Sequence, residues 1–170
     1  MGIKTISHIG FNCKNIEESI RFYCDIMGFK KKFTLTYDAL ADCVALEAKQ
    51  AGKKEPFYVK AMRKRMAGVL WCVYLELAPG NFIELFNMPN AKRKRIPGPK
   101  DLNYTHYSLE VDDLKSFRET VIAKGGKQYI DSEPILSVDN TWQMWMHDSD
   151  GNKFEIMEYT PDSLQVKGNA

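Results

Sequence analysis

Histidine is scarce in this chain. Its 170 residues include only three, His8, His106 and His147. Charge of one sign is also missing: 24 Lys+Arg stand against 22 Asp+Glu, a formal net charge of +2. That balance lacks the basic footprint of a nucleic-acid protein. No apolar run approaches the roughly 18 residues of a membrane span, so no membrane partner is expected. The four cysteines, Cys13, Cys24, Cys43 and Cys72, show no C-x-x-C spacing. This excludes a zinc ribbon or a thioredoxin-type motif. Their setting in apparent strands and helices reads as reduced, buried thiols of a cytoplasmic protein. The start, Met1-Gly2-Ile3-Lys4-Thr5, has no apolar core of a secretory leader.

What is present is ordinary for a globular chain. Hydrophobic residues make up 44% and charged residues 27%, close to the average composition of soluble domains. The length suits one domain, or two half-size units. Residues 3–12 read as a strand. Asn15 is a candidate N-cap, followed by Glu17 and Glu18 where a helix dipole favours acids. Ile16, Ile20, Tyr23, Cys24 and Met27 recur at helical spacing, and Gly28 suits the residue after the helix. Phe29 to Tyr37 reads as a second strand, and Cys43 to Leu46 as an extension of that sheet. Residues 49–68 are polar and basic. Leu70 to Leu77 and Phe82 to Phe86 read as a hairpin turning at Ala78-Pro79-Gly80-Asn81. Prolines 89, 97 and 99 make residues 89–102 a linker.

The pattern then restarts. Tyr104 to Val111 is strand-like. Asp112 or Asp113 caps a helix carrying Leu114, Phe117, Val121 and Ile122, which ends at Gly125-Gly126. Trp142 to Met146 and Phe154 to Met157 are strands joined by the polar turn 147–152. Residues 161–170 read as a frayed tail. The expected organisation is a first module over 1–88 with an insertion near 49–68, the linker 89–102, a second module over 103–160, and the tail.

The two halves repeat each other. His8 precedes Gly28 by 20 residues, and His106 precedes Gly126 by 20. Gly80-Asn81-Phe82-Ile83-Glu84 matches Gly151-Asn152-Lys153-Phe154-Glu155. His8 and Glu84 lie 76 residues apart, His106 and Glu155 only 49, so the first half holds 27 extra residues. Two landmarks in one order imply two similar modules packed by pseudo-symmetry. Each half supplies one histidine on its first strand and one glutamate on its last. Two imidazoles and two carboxylates suit one borderline divalent cation: Ni, Zn, Co, Mn or Fe. An octahedral ion would keep two positions for water or substrate. The ordinary alternative is that each histidine is a hydrogen-bonded rim residue and each glutamate an outward-facing strand residue. His147 has no counterpart in the first half and reads as a loop residue.

The segments His8-Ile9-Gly10-Phe11-Asn12, Ser19 to Phe29, Thr105 to Asp113 and Asp148 to Glu155 together resemble the vicinal oxygen chelate superfamily. This is also called the glyoxalase, bleomycin resistance and dioxygenase family. The resemblance spans roughly residues 3–160, with Ser149 where the family usually has proline. It implies an α+β fold: two paired βαβββ modules forming a cupped mixed sheet around a metal site. The set His8, Glu84, His106 and Glu155 is similar to that of glyoxalase I, the lactoylglutathione lyase. The implied activity is a metal-dependent lyase or isomerase moving a proton next to a carbonyl. Glu84 and Glu155 would be ligands, and one of them the catalytic base. Methylmalonyl-CoA epimerases typically carry Gln at the Glu84 position. Extradiol dioxygenases use two His and one Glu, and bleomycin-binding members lack the metal. The implied partners are a small-molecule substrate and a second copy of the chain in a homodimer. Bacterial glyoxalase I has an arginine shortly after its first histidine that helps bind glutathione, and here Ile9-Gly10-Phe11-Asn12 offers none. The basic runs 30–32, 53–54, 63–65 and 92–95 read as solvated loops and strand ends. Their sharper reading is steering of an anionic substrate.

Overall fold

The computed structural model describes residues 2–92 and 104–168. Its elements fall into two compact units. One comprises residues 1–16 and 29–91, the other residues 17–28 and 92–170. Most of the linker reading, residues 93–102, lies outside the described residues.

The first unit is built on a four-stranded mixed sheet of order β1-β4-β3-β2. Its strands are β1 (His8–Cys13), β2 (Lys30–Thr36), β3 (Leu70–Ala78) and β4 (Asn81–Asn87). β1 runs parallel to β4, and the other two pairings are antiparallel. The β3–β4 turn closes at Gly80, whose φ of +78° lies in the left-handed region where glycine has no Cβ penalty. Alternation along the hairpin separates two faces. Val73, Leu75, Ile83 and Leu85 are fully buried, while Tyr74, Phe82, Glu84 and Phe86 share the other side.

The extra residues of this half form two helices between β2 and β3: α2 (Tyr37–Gln50) and α3 (Phe57–Arg65). The sequence placed this insertion at 49–68 and read Cys43–Leu46 as sheet. The range 49–68 falls within this stretch, while the sheet reading needs correction, because Cys43–Leu46 lies inside α2. A four-residue apolar run is ambiguous between strand and buried helix. Its neighbours settle the matter, since Ala39, Leu40, Ala41, Ala45, Glu47, Ala48 and Lys49 are strong helix formers. Cys43, expected to be buried, is exposed on this helix. Arg63 ties the two helices together, donating from Nε and Nη2 to Asp42 (3.1 and 2.9 Å) and from Nη1 to Glu55 (3.0 Å).

The second unit repeats the topology. Its sheet has the order β5-β8-β7-β6, with β5 (Tyr107–Glu110), β6 (Ile135–Leu136), β7 (Trp142–His147) and β8 (Lys153–Glu158). β5 is parallel to β8, and the rest is antiparallel. Here β6 and β7 are joined by residues 137–141 alone. Besides shorter helical turns, two helical segments belong to this unit. One is α4 (Leu114–Ala123), capped by Asp113, whose Oδ1 accepts the Ser116 N–H at 2.8 Å. The other comes from the first half of the sequence. The helix α1 (Ile16–Arg21) passes into a π-helical turn, Phe22–Ile26, and ends at Gly28 with φ +84°. Phe22, fully buried, meets the rings of Tyr129 and Phe154 at 4.6 and 6.2 Å. A Cβ on Gly126 would stand 2.6 Å from Ile26 Cγ2, so glycine there permits close helix packing.

The C-terminal stretch, expected to fray, carries a short helix α5 (Leu164–Lys167). It is anchored by Ser163, which is fully buried and accepts from Thr141 Oγ1 at 3.1 Å. Polar composition hid that anchor, because its hydrogen bonds join residues 22 apart in sequence. Among the described residues no helix is long and apolar enough to cross a membrane.

Candidate functional site

Each unit carries an imidazole–carboxylate pair set by the same strand register. In the first unit the parallel pairing sets Gly10 opposite Glu84, two residues after His8. In the second it sets Ser108 opposite Glu155, two residues after His106. Period two then puts each histidine and its glutamate on one face. His8 Nε2 lies 3.3 Å from Glu84 Oε2, and His106 Nε2 lies 3.5 Å from Glu155 Oε2. Both glutamates are nearly buried, with side chains 13% and 11% exposed, while the imidazoles are 46% and 35% exposed. A Cβ at position 10 would meet Glu84 Oε2 at 3.3 Å, so Gly10 leaves that carboxylate its room.

An aromatic ring completes each pair. Tyr74 faces Glu84 across the β3–β4 ladder, and its ring stands 6.1 Å from His8, edge to face. Phe33 stacks on that tyrosine at 4.3 Å. Trp145 faces Glu155 across the β7–β8 ladder, 4.8 Å from the His106 ring in the same edge-on manner. The sequence reading missed both rings, because a strand aromatic is indistinguishable from core until its face is known. The Glu–aromatic pairing across the ladders was the available signal.

A cavity of about 390 Å³ opens beside His106, lined by Thr105, His106, Asp131, Ser132, Trp145 and Lys153. It offers one cation, one carboxylate and one indole face. His147 ends β7 rather than standing in a loop. Its Nδ1 sits 2.9 Å from Asp131 Oδ1, which removes it by one residue from that cavity. In the first unit, burial and the Glu84 charge push the Cys72 thiol up to about 12. A thiol held protonated in this way is a poor nucleophile.

The turn before Glu155 is held by Asp148, which is only 3% exposed. Its Oδ1 accepts the N–H groups of Asp150 and Asn152 at 3.0 and 2.8 Å. Its Oδ2 accepts from Asn152 Nδ2 and from the Tyr23 hydroxyl, at 2.8 and 2.9 Å. Tyr23 in turn lies 3.3 Å from the Tyr107 hydroxyl. Burial raises the pKa of all three groups, Asp148 included despite its hydrogen bonds. Ser149, where the family usually has proline, lies 3.1 Å from Ser19 Oγ.

Imidazole and carboxylate are donor types that a divalent ion accepts, and here each pair stands at ion-pair distance. Donors each about 2.1 Å from one ion lie about 3.0–3.4 Å apart at octahedral or tetrahedral angles. The His8–Glu84 and His106–Glu155 separations are of that size. Among the described residues, no group of three or more His, Cys, Asp or Glu side chains is gathered to hold a metal.

Comparison with known proteins bears on the fold. Residues 5–156 match the sequence model of the Glyoxalase/Bleomycin resistance protein/Dioxygenase superfamily. A glyoxalase family protein from Enterococcus faecalis is similar in structure, with TM-score 0.62 and 16% identity over 93% of this chain and 100% of that one. A lactoylglutathione lyase from Agrobacterium tumefaciens gives 0.54 and 12%, over 93% and 96% of the two chains. A glyoxalase/dioxygenase from Nostoc punctiforme gives 0.53 and 19%, over 92% of each. No curated protein matches in sequence.

Proposed function

The chain belongs to the Glyoxalase/Bleomycin resistance protein/Dioxygenase superfamily, and we propose that it is a divalent-metal-dependent lyase or isomerase of glyoxalase I type. The observation that carries this reading is the duplicated register. Both units set a carboxylate opposite the residue two positions after a histidine. His8, Glu84, His106 and Glu155 would hold one ion of Ni, Zn, Co, Mn or Fe, from one chain or from two chains of a homodimer. When bound, the ion supplies Lewis acidity toward a substrate oxygen. The chain's own residues do the rest. Glu84 or Glu155 takes the proton from a carbon next to a carbonyl, since an ionised carboxylate within reach is a competent general base. Tyr74 and Trp145 wall the two carboxylates with apolar surface, which keeps bulk water from competing for the proton. Lys153, on the same strand face as Glu155, receives an anionic part of the substrate.

A fourth protein ligand favours this chemistry over dioxygen activation, which needs more open positions on the metal. The stretch Ile9-Gly10-Phe11-Asn12 has no arginine, which argues for a thiol other than glutathione or for a substrate that is no thiol adduct. Elemental analysis of the purified protein, followed by a methylglyoxal hemithioacetal assay with several thiols, tests the reading. About one divalent ion per chain and turnover with at least one thiol are expected. A protein that takes up none of Ni, Zn, Mn or Co overturns it.

A further inference from the structure

The insertion carries a charge imbalance that the rest of the chain does not share. Residues 49–65 hold seven Lys and Arg against one acid, Glu55, a net of +6 in a chain whose total is +2. That acid is already taken, because Arg63 donates to Glu55 as well as to Asp42. Among the described residues, no carboxylate stands within ion-pair distance of Lys53, Lys54, Lys60, Lys64 or Arg65. Unpaired like charges gathered in one short stretch make a local positive field that attracts an anionic partner.

Helix periodicity sorts this stretch into two faces. Val59 is fully buried, Met62 is half-buried, and Arg63 reaches across to α2. Phe57, Lys60, Ala61 and Lys64 recur at i, i+3, i+4 and i+7 on the opposite face, and all four are exposed. Tyr58 and Arg65 flank them, also exposed. Phe57 is 91% exposed and Tyr58 45%, their rings edge to face at 5.9 Å. The outer face of α3 therefore mixes open aromatic surface with three cations and carries no acid. Lys53 and Lys54 stand in the segment just before it.

We propose that this face of α3 docks the protein on an anionic lipid surface. Crossing a bilayer takes a long apolar run, whereas lying on one takes a basic helix with aromatic side chains among its cations. Phe57 enters the boundary between headgroups and acyl chains, and Tyr58 keeps its hydroxyl at the headgroup level. Lys53, Lys54, Lys60, Lys64 and Arg65 meet the lipid phosphates. One apolar anchor alone binds weakly, and the basic patch is the second signal that holds it. A nucleic-acid duplex would match the cations but offers Phe57 no apolar layer to enter. Tyr37 N donates to Val69 O at 3.0 Å and closes the base of the insertion, so α3 can present this face without opening the first sheet. The residues assigned to the metal take no part.

Cosedimentation of the full chain with vesicles tests this. Phosphatidylcholine alone is compared with the same lipid carrying about 30% phosphatidylserine, the anionic class that attracts basic segments. Sedimentation with the anionic vesicles only is expected at about 0.1 M salt. Release is expected at about 1 M, where the Debye length falls from about 10 to about 3 Å. Two variants of exposed residues, each first shown to unfold at the parent's denaturant midpoint, weaken binding. Phe57→Ser does so about tenfold, and Lys60→Gln with Lys64→Gln about thirtyfold. Lys124→Gln with Lys127→Gln removes two exposed cations of the second unit and leaves binding unchanged. Four results overturn the proposal. The first is no sedimentation with anionic vesicles, and the second is an equal loss in the second-unit variant. The third is tighter binding to oligo(U) RNA than to vesicles, which gives the face to nucleic acid. The fourth is a dimer that Phe57→Ser dissociates, which gives it to a second copy of the chain.

Discussion

Asp148 receives four donors while almost wholly withdrawn from water. Burial is the largest influence on it and holds its pKa above the usual aspartate value. A raised carboxyl pKa means that the folded state binds the proton more tightly than the unfolded chain. Its contribution to stability is therefore full below the unfolded pKa and is lost as pH rises through the folded one. Asp148→Asn removes that slope. It also turns an amide N–H₂ toward Asn152 Nδ2, donor against donor, which costs about 1–3 kcal/mol. Denaturant unfolding of both proteins from acid to neutral pH is expected to show a less stable variant, with the gap widest at the acid end. A gap that grows toward neutral pH contradicts the assignment. At this scale the four candidate ligands were legible because repetition singled them out among many strand residues. Tyr23, Tyr107, Tyr74 and Trp145 were not, because each reads as a plain apolar core position. What gives them roles is a partner brought near by the fold, such as Asp148 lying 125 residues from Tyr23.

Elements were easiest to read where apolar spacing and turn residues agreed. β3, β4, β7 and β8 differ from their expected bounds by at most one residue at each end, and the Asp113 cap starts α4 as expected. The insertion was harder, because its composition is polar and its helices bury little: one residue of α2, Ala41, and one of α3, Val59. Its ends are nonetheless tied, since Tyr37 N donates to Val69 O at 3.0 Å. The α2–α3 hairpin thus hangs from a closed base on the edge of β2 and β3. Replacing residues 38–68 by a tight turn, as residues 137–141 join β6 and β7, shortens the connection without stretching it. Loop-closure entropy changes little with length, by about 0.6 kcal/mol per doubling. A cooperative unfolding transition and the metal content of the parent are expected, with altered kcat/KM among substrates. Loss of cooperative unfolding instead makes the hairpin part of the core.

Two units with one topology could in principle act as two sites, and the number of metal ions decides which description holds. Each unit supplies one imidazole and one carboxylate, too few donors to complete a tetrahedral shell unaided. If all four residues serve one ion, His8→Ala and His106→Ala each abolish uptake, though they alter different units. The loss is not additive, and the double variant behaves like either single one. If each unit held its own ion, a single variant would keep half of the metal and the double variant none. Counting bound Ni or Zn in the three variants against the parent separates the cases. About one ion per chain falling to none in each single variant is expected. Half retention in either single variant sinks the shared site and, with it, the glyoxalase I-type reading that depends on four ligands.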